Sequence, residues 1–393
     1  MGALARFDPA VPARRVVVFL AVVALVGASP ASARTGWTLP HARAVLSSQT
    51  IDGWDDAQPD DPYFAVTLDR TQVAGLRSAG TRFAYKGLAH DTVGGGTIPV
   101  AFTIEPQGAA GFRVLVLHGP PPDTSQPALP LRAAFTYSWF PEAWDQQHYQ
   151  PFTRYRPAAG YYDSSDQELI QRQIDAMRYG KIGAGIYSWW GQGSYTDLRL
   201  PGYLAAARQT PFRWAVYYEA EGYGDPSPDT IRGDLEYIRN LYASRPAYLK
   251  LDGRFVVFVY GGVETCSVAD RWREANTVGA YIVLPAFAGF RDCASQPDSW
   301  HFYSATLPEF ELHGYAYSIS PGFWRVDEGT ARQPRDLATW KQSIRDMITS
   351  AEPWQLVITF NEWGEGTSVE PADAWQTPFG YGEYLDVLHT DGA

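Results

Sequence analysis

Histidine is scarce in this chain and scattered. Seven occur in 393 residues, and none forms the H-x-x-x-H pair with which a helix holds a catalytic metal, so no metal site and no cofactor is expected. A G-x-S-x-G elbow is also missing; Gly191-Gln192-Gly193-Ser194-Tyr195 lacks the spacing a serine nucleophile needs. Gly94-Gly95-Gly96 precedes neither a helical pattern nor a Lys-Ser/Thr pair, which argues against a phosphate cradle. Basic residues number 32 against 43 acidic ones, a net charge of −11. Such a surface repels nucleic acid and anionic membrane, while a neutral polymer is indifferent to it.

Long apolar runs are nearly absent too. The one candidate, 16–28, follows Arg14-Arg15 and precedes Ala31-Ser32-Ala33, a small-x-small cleavage signature. It is too short for the ~20 residues that span a bilayer. Residues 1–33 therefore read as a secretory signal peptide cleaved after Ala33, leaving a secreted protein with no membrane attachment. Only Cys266 and Cys293 carry thiols. In an exported chain an isolated pair reads as a disulfide, with two free thiols as the alternative. The bridge would staple the loop after the strand-like run 255–260 to the loop after 281–285.

Aromatic residues, by contrast, are abundant, with 14 Trp, 24 Tyr and 19 Phe. A flat ring covers the C–H face of a pyranose while polar edges bond its hydroxyls, so sugar clefts favour them. An aromatic-rich core is the alternative.

Two regions differ in pattern. Within 35–128, short β-like runs at 63–68, 82–86, 98–104 and 113–117 alternate with turn signals, which predicts a small β-rich module. It is expected to pack against the C-terminal region rather than to bind carbohydrate. A stiff Pro-rich linker, 120–127, comes next. From residue 131 strand-like and helix-like segments alternate. Strands are predicted at 132–138, 182–189, 212–218, 255–260, 281–284, 299–304, 315–319 and 355–360, with helices at 166–179, 229–243, 335–350 and 382–389. Eight strands predict an α/β fold, a (β/α)8 TIM barrel over 131–393.

On that scheme the strand ends collect polar and aromatic residues. Tyr137 and Trp139 end the first, Trp189 and Trp190 the second, Tyr218, Glu219 and Glu221 the third, and Tyr260 the fourth. The last strand empties into Asn361-Glu362-Trp363-Gly364-Glu365-Gly366, too glycine-rich for a stable helix. In a parallel barrel the C-terminal ends of strands are the catalytic face. Two carboxylates there, Glu362 and Glu365, predict acid/base work on a glycosidic bond. Asn361 would orient a substrate hydroxyl or Glu362, or else cap a turn. Arg325, near the seventh strand, would counter the acidic cluster, or else be a surface arginine, the more frequent case.

The same residues carry a family resemblance. Six pieces, 135–139, 157–162, 185–191, 251–260, 318–322 and 360–367, resemble in order those of glycoside hydrolase family 99, the endo-α-mannosidase family, and of its related bacterial domain group. The resemblance covers 132 to the C-terminus. It implies a (β/α)8 barrel in which Glu362 deprotonates the sugar's own 2-hydroxyl, which attacks the anomeric carbon to give a 1,2-anhydro intermediate. Glu365 then protonates the leaving oxygen and later activates water, with net retention. That division of labour expects Glu365 protonated and Glu362 ionised. Two departures bear on the mannose-selecting subsites: Gly364 stands where the family's mannosidases carry histidine, and Tyr155-Arg156 where a histidine-bearing stretch is usual. The reading is a secreted, monomeric, retaining endo-glycosidase acting on an α-linked, α-mannan-like polysaccharide or oligosaccharide. Tyr137, Trp139, Trp189, Trp190, Tyr218, Glu219, Glu221, Tyr260, Asn361 and Trp363 are its expected substrate contacts. The alternative is a non-catalytic carbohydrate-binding or polysaccharide-assembly protein on the same barrel.

Overall fold

The computed structural model describes the backbone of seven strands between residues 36 and 117, and residues 123–393 except 262–264. The expected signal peptide, 1–33, lies outside the described residues. Gly36–Thr38 (β1), Ala42–Ser47 (β2), Thr50–Asp55 (β3), Phe64–Thr67 (β4), Phe83–Asp91 (β5), Thr97–Pro106 (β6) and Phe112–Leu117 (β7) pair antiparallel in chain order. The four runs expected from sequence fall on β4 to β7. The first three strands were not anticipated, because Gly53 and two aspartates interrupt their alternation.

The second sheet is built on eight parallel strands: Leu131–Thr136 (β8), Ala184–Trp189 (β9), Arg213–Tyr218 (β10), Arg254–Val259 (β12), Tyr281–Pro285 (β13), Ser299–His301 (β14), Ala316–Ile319 (β16) and Trp354–Val357 (β17). Lys250–Leu251 (β11) is a short antiparallel addition to β12. Strand order is β14-β13-β12-β10-β9-β8-β17-β16-β15, with β15 being Glu309–Leu312. β8, β9 and β10 are buried along their whole length, as strands covered on both faces must be, which explains their nearly unbroken apolar and aromatic sequences.

All eight expected strands are present, but the ring is only nearly closed. After β14 the chain turns back as β15 and takes the free edge of β16 antiparallel. The remaining seam is bridged by serines of the seventh strand and its end: Ser318 Oγ donates to Phe302 O at 2.7 Å, and Ser320 donates through Oγ to Ala305 O at 3.0 Å and through N to Pro308 O at 3.0 Å.

Among the described residues six helices of seven residues or more follow the strands: Gln167–Tyr179 (α1), Tyr195–Ala207 (α2), Pro228–Leu241 (α3), Cys266–Ala275 (α4), Leu337–Ser350 (α5) and Glu383–His389 (α6). Side chains of Asp166, Ser194, Ser227 and Asp336 cap the first turns of α1, α2, α3 and α5, satisfying otherwise orphaned N–H groups. Sequence patterning foresaw α1, α3, α5 and α6. It missed α4, and also α2, where Pro201 and Gly202 sit inside the helix and both faces carry apolar residues. Cys266 opens α4 and is bonded to Cys293 across a Cα separation of 5.2 Å, which bears out the expected disulfide between the loops after β12 and β13. No helix of the described residues is long and apolar enough to cross a membrane.

Candidate active site

The segment leaving β17 builds the centre of the site by folding back on itself. Thr359 N donates to Thr367 O, and Val369 N and Glu370 N donate to Phe360 O, so 359–360 and 367–370 run side by side. Between them lies the tight loop that carries both carboxyls. Glu362 N donates to Thr359 Oγ1 at 2.8 Å. Gly366 has φ +68°, and a Cβ there would meet the carbonyl oxygen of Trp324 at 2.6 Å. Only glycine adopts that backbone without strain or collision.

Two residues expected to touch substrate instead fix this loop. Asn361 is fully buried and grips the backbone of the first strand's end, accepting from Tyr137 N at 2.8 Å and donating to Tyr137 O at 2.8 Å. Trp363 is fully buried beneath the loop; its indole N–H donates to Glu370 Oε2 at 2.9 Å and to Tyr162 Oη at 3.0 Å, and its ring stacks on Trp375. The outward residues of the loop are then Glu362, Gly364 and Glu365.

Those three line a cleft of about 280 Å3 at the C-terminal ends of the strands, together with Tyr137, Trp139, Trp190, Glu219 and Tyr260. The aromatic wall is continuous. Tyr137 and Trp139 have ring centroids 4.5 Å apart, Trp139 and Trp190 6.2 Å, Trp190 and Tyr223 4.9 Å, and Tyr223 stacks on Tyr260 at 5.8 Å. One hydroxyl organises much of it. Ser188 Oγ accepts from the indoles of Trp139 and Trp190, each at 3.1 Å, and donates to Glu219 Oε1 at 2.6 Å.

Trp189, Tyr218 and Glu221 do not reach the cleft. Side chains alternate along a strand, so Trp189, next to the outward-opening Ser188, turns to the helix layer and donates to Asp197 Oδ1 at 2.7 Å. Tyr218 likewise donates to Asp234 Oδ2 at 2.6 Å. Glu221 is buried against Arg271, with Trp272 Nε1 at 2.9 Å, and serves as the anchor of α4. Tyr155 and Arg156 also lie elsewhere, Arg156 pairing with Asp373 at 2.8 Å.

Several lining residues were not anticipated. Tyr303, just past β14, donates to Glu365 Oε2 at 3.1 Å and is itself bonded to Tyr137 Oη at 3.1 Å. The rule that picked Tyr260, an aromatic just past a strand end, would have found it. Phe152, Gln146 and Gln147 arrive on an irregular loop with no periodicity to reveal them. A Cβ at position 364 would meet Glu362 Oε1 at 2.9 Å and the Phe152 ring at 3.1 Å, so Phe152 fills the space a side chain at 364 would need. Arg325 and Arg332 line the same side. Arg325 is tied to Asp327 and to Gln147 Oε1 at 2.9 Å.

Charge is costly here. Burial pushes Glu219 up to about 8, with Ser188's hydrogen bond opposing and Glu365's charge adding to the rise. Glu365 is raised to about 7, again mainly by burial, with Tyr303, Arg325 and Arg332 holding it down. Glu362 is raised well above the usual carboxylate range by burial and by the neighbouring Glu365, although Gly364 N and Glu365 N donate to its Oε1 at 3.0 and 3.3 Å. Its Oε2 accepts no hydrogen bond among the described residues. Both carboxyls are thus held above their ordinary range, and ionising the two at once is the costliest state. Their surroundings differ: the cations lie on the Glu365 side, and Glu362 Oε2 lacks a donor among the described residues.

Among the described residues, one group suited to a metal ion, Glu311, His313 and Glu352, sits at the N-terminal ends of β16 and β17, the opposite end of the barrel from the cleft.

Residues 133–284 match the glycosyl hydrolase family 99 model. Mouse glycoprotein endo-alpha-1,2-mannosidase is 21% identical over 267 residues, covering 55% of this chain and 56% of that protein. The Xenopus laevis protein of the same name is 22% identical over 284 residues, 58% and 61% of the two chains. The chain thus spans less than two thirds of the length of these relatives. The solved GH99 endo-alpha-mannosidase of Bacteroides thetaiotaomicron superposes with a TM-score of 0.55 at 19% identity, over 66% of this chain and 96% of that one. The resemblance to glycoside hydrolase family 99 read from the sequence is borne out, and the fold is that family's (β/α)8 barrel.

Proposed function

We propose that this chain is a glycoside hydrolase: a secreted, retaining endo-glycosidase of α-linked, α-mannan-like polysaccharide, with Glu362 and Glu365 as its catalytic carboxyls. The observation that carries the reading is the placement of these two carboxyls side by side at the mouth of the barrel, in an aromatic cleft that makes ionising both of them costly. The family match supports the same chemistry.

The mechanism rests on the two environments. A sugar whose 2-hydroxyl donates to the free Oε2 of Glu362 supplies the hydrogen bond that atom lacks, and a hydrogen bond to the ionised form lowers its pKa. The remaining proton then rests on Glu365. Glu362 takes the 2-hydroxyl proton as O2 attacks the anomeric carbon, and Glu365 gives its proton to the departing oxygen. A 1,2-anhydro sugar results. Water, losing a proton to the Glu365 carboxylate, opens that ring at C1, while Glu362 returns its proton to O2. Two inversions give retention. Tyr303 steadies Glu365 through both steps, and Glu219, neutral at working pH, offers a donor to a sugar hydroxyl. The aromatic wall from Tyr137 to Tyr260 covers sugar faces on either side of the cleaved bond.

Product release from a panel of α-mannans and other α-linked microbial polysaccharides tests this, comparing the natural chain with Glu362→Gln/Glu365→Gln. Oligosaccharides from the natural chain alone support it. No release from any polymer, with the double variant still retained on one of them, would favour a binding or assembly role instead.

A further inference from the structure

A second cavity, of about 380 Å3, opens on the flank of the barrel between α1 and the segment leading into α6, and shares no lining residue with the cleft. Its floor is polar and buried. Gln173 and Glu370 are 3% and 4% exposed. Gln173 Nε2 donates to Glu370 Oε1 at 2.7 Å, which fixes the amide and leaves Gln173 Oε1 buried with no partner among the described residues. At the mouth stand Arg172, Asp175 and Tyr381. Tyr381 is held flat by stacking on Tyr179 at 4.1 Å, and Phe379, two residues earlier, is 72% exposed.

These groups demand a ligand with both hydrogen-bonding senses. Gln173 Oε1 needs a donor, and at the mouth Asp175 can accept further and Arg172 can donate further beside their loose pairings with Arg178 and Gln171 and with Glu168. An ammonium group offers only donors, and a phosphate or carboxylate only acceptors. Hydroxyls offer both. Arg172 and Asp175 balance in charge, and the ring of Tyr381 suits a flat apolar face. A volume at the lower end of the ~300–1,000 Å3 range of small-molecule sites is enough for a sugar ring.

We propose that this flank cavity is a secondary carbohydrate site that seats one neutral pyranose unit, with Gln173 and Glu370 bonding its hydroxyls and Tyr381 and Arg172 closing over it. Its purpose, which rests on the glycosidase reading, is to hold polymer on the enzyme while another part of the chain occupies the cleft.

Two probes test it: methyl α-D-mannopyranoside, by ligand-observed saturation-transfer NMR on Glu362→Gln/Glu365→Gln protein, and immobilised α-mannan, by retention. Adding Arg172→Ala/Tyr381→Ala should remove part of the saturation signal and cut retention about five-fold or more, the scale of losing one or two good contacts. On the natural background the flank variant should leave turnover of a small α-linked disaccharide fluoride unchanged. Arg172 is exposed, so Arg172→Ala alone serves if the double flank variant unfolds. Signal and retention that do not change in the flank variant overturn the proposal. A protein that cleaves no substrate yet loses its pyranoside signal in the flank variant keeps the flank site and discards the glycosidase reading.

Discussion

Replacing Glu219 by glutamine should stabilise the protein, and by an amount set by pH. Glu219 is 3% exposed, its carboxyl is pushed up to about 8, and it accepts a hydrogen bond from Ser188 Oγ at 2.6 Å. In the unfolded chain the same carboxyl titrates near its ordinary value of 4.5. The folded protein therefore keeps a proton that the unfolded chain has released. Stability must fall as pH rises from about 4.5 to about 8, the reverse of the usual salt-bridged carboxylate. At pH 7 the gap of about 2.5 pH units from the unfolded value amounts to roughly 3 kcal/mol, an order-of-magnitude figure. Glutamine has the size of the neutral acid, still accepts from Ser188, and never ionises. Glu219→Gln should match the natural protein at pH 4, gain about 3 kcal/mol at pH 7, and level off above pH 8. Thermal unfolding of both proteins at half-unit steps from pH 4 to 9 reads this directly, with a shift of roughly 5–10 °C at pH 7. A gain that does not change with pH, or a loss at pH 8, would refute the claim that the cleft holds Glu219 neutral.

Ser188→Ala removes the hydroxyl that accepts from Trp139 and Trp190 and donates to Glu219; a fall in stability of about 1–3 kcal/mol with a rise in KM larger than the fall in kcat is expected from denaturation and steady-state kinetics. Activity should decline above about pH 7 as Glu365 loses the proton it must donate, and Arg325→Gln, which removes a cation that holds Glu365 down, should move that alkaline limb to higher pH in a kcat/KM profile. Reducing the Cys266–Cys293 bond, which closes a loop across a sequence separation of 27, should cost about 3–4 kcal/mol on the chain-entropy account and lower the unfolding temperature by several degrees in a thermal scan with and without thiol reductant.

The barrel was readable because its strands announce themselves. Runs such as Phe-Val-Val-Phe-Val in 255–259 are apolar on both faces, as only a strand buried on both sides can be. Glu362 and Glu365 were legible as candidates because they sit in a glycine-rich turn directly after such a strand, and that turn does open on the cleft. What could not be read was direction. Ser188 and Trp189 are neighbours at one strand end, yet only Ser188 faces the cleft, and a register shifted by one residue exchanges them. Asn361 and Trp363 looked like sugar contacts because of their chemistry. Burial shows them to be the clamps that let Glu362 and Glu365 sit where they do. Phe152 and Gln147 had no pattern at all, since loop residues are placed by contacts made after the chain has folded. The seam beside β16 was invisible for the same reason: β14 read as a short strand, β15 was not read as a strand at all, and nothing local says that β15 takes the edge of β16.

The central claim is that Glu362 and Glu365 divide the chemistry between base and acid. Its most direct test is turnover by Glu362→Gln and Glu365→Gln of two substrates that differ only in leaving group, an ordinary α-linked oligosaccharide and the matching glycosyl fluoride. Fluoride needs no proton to depart, so the account predicts that Glu365→Gln loses the oligosaccharide but still consumes the fluoride in the first step, whereas Glu362→Gln loses both. Folded variants that match the natural protein on both substrates would contradict it.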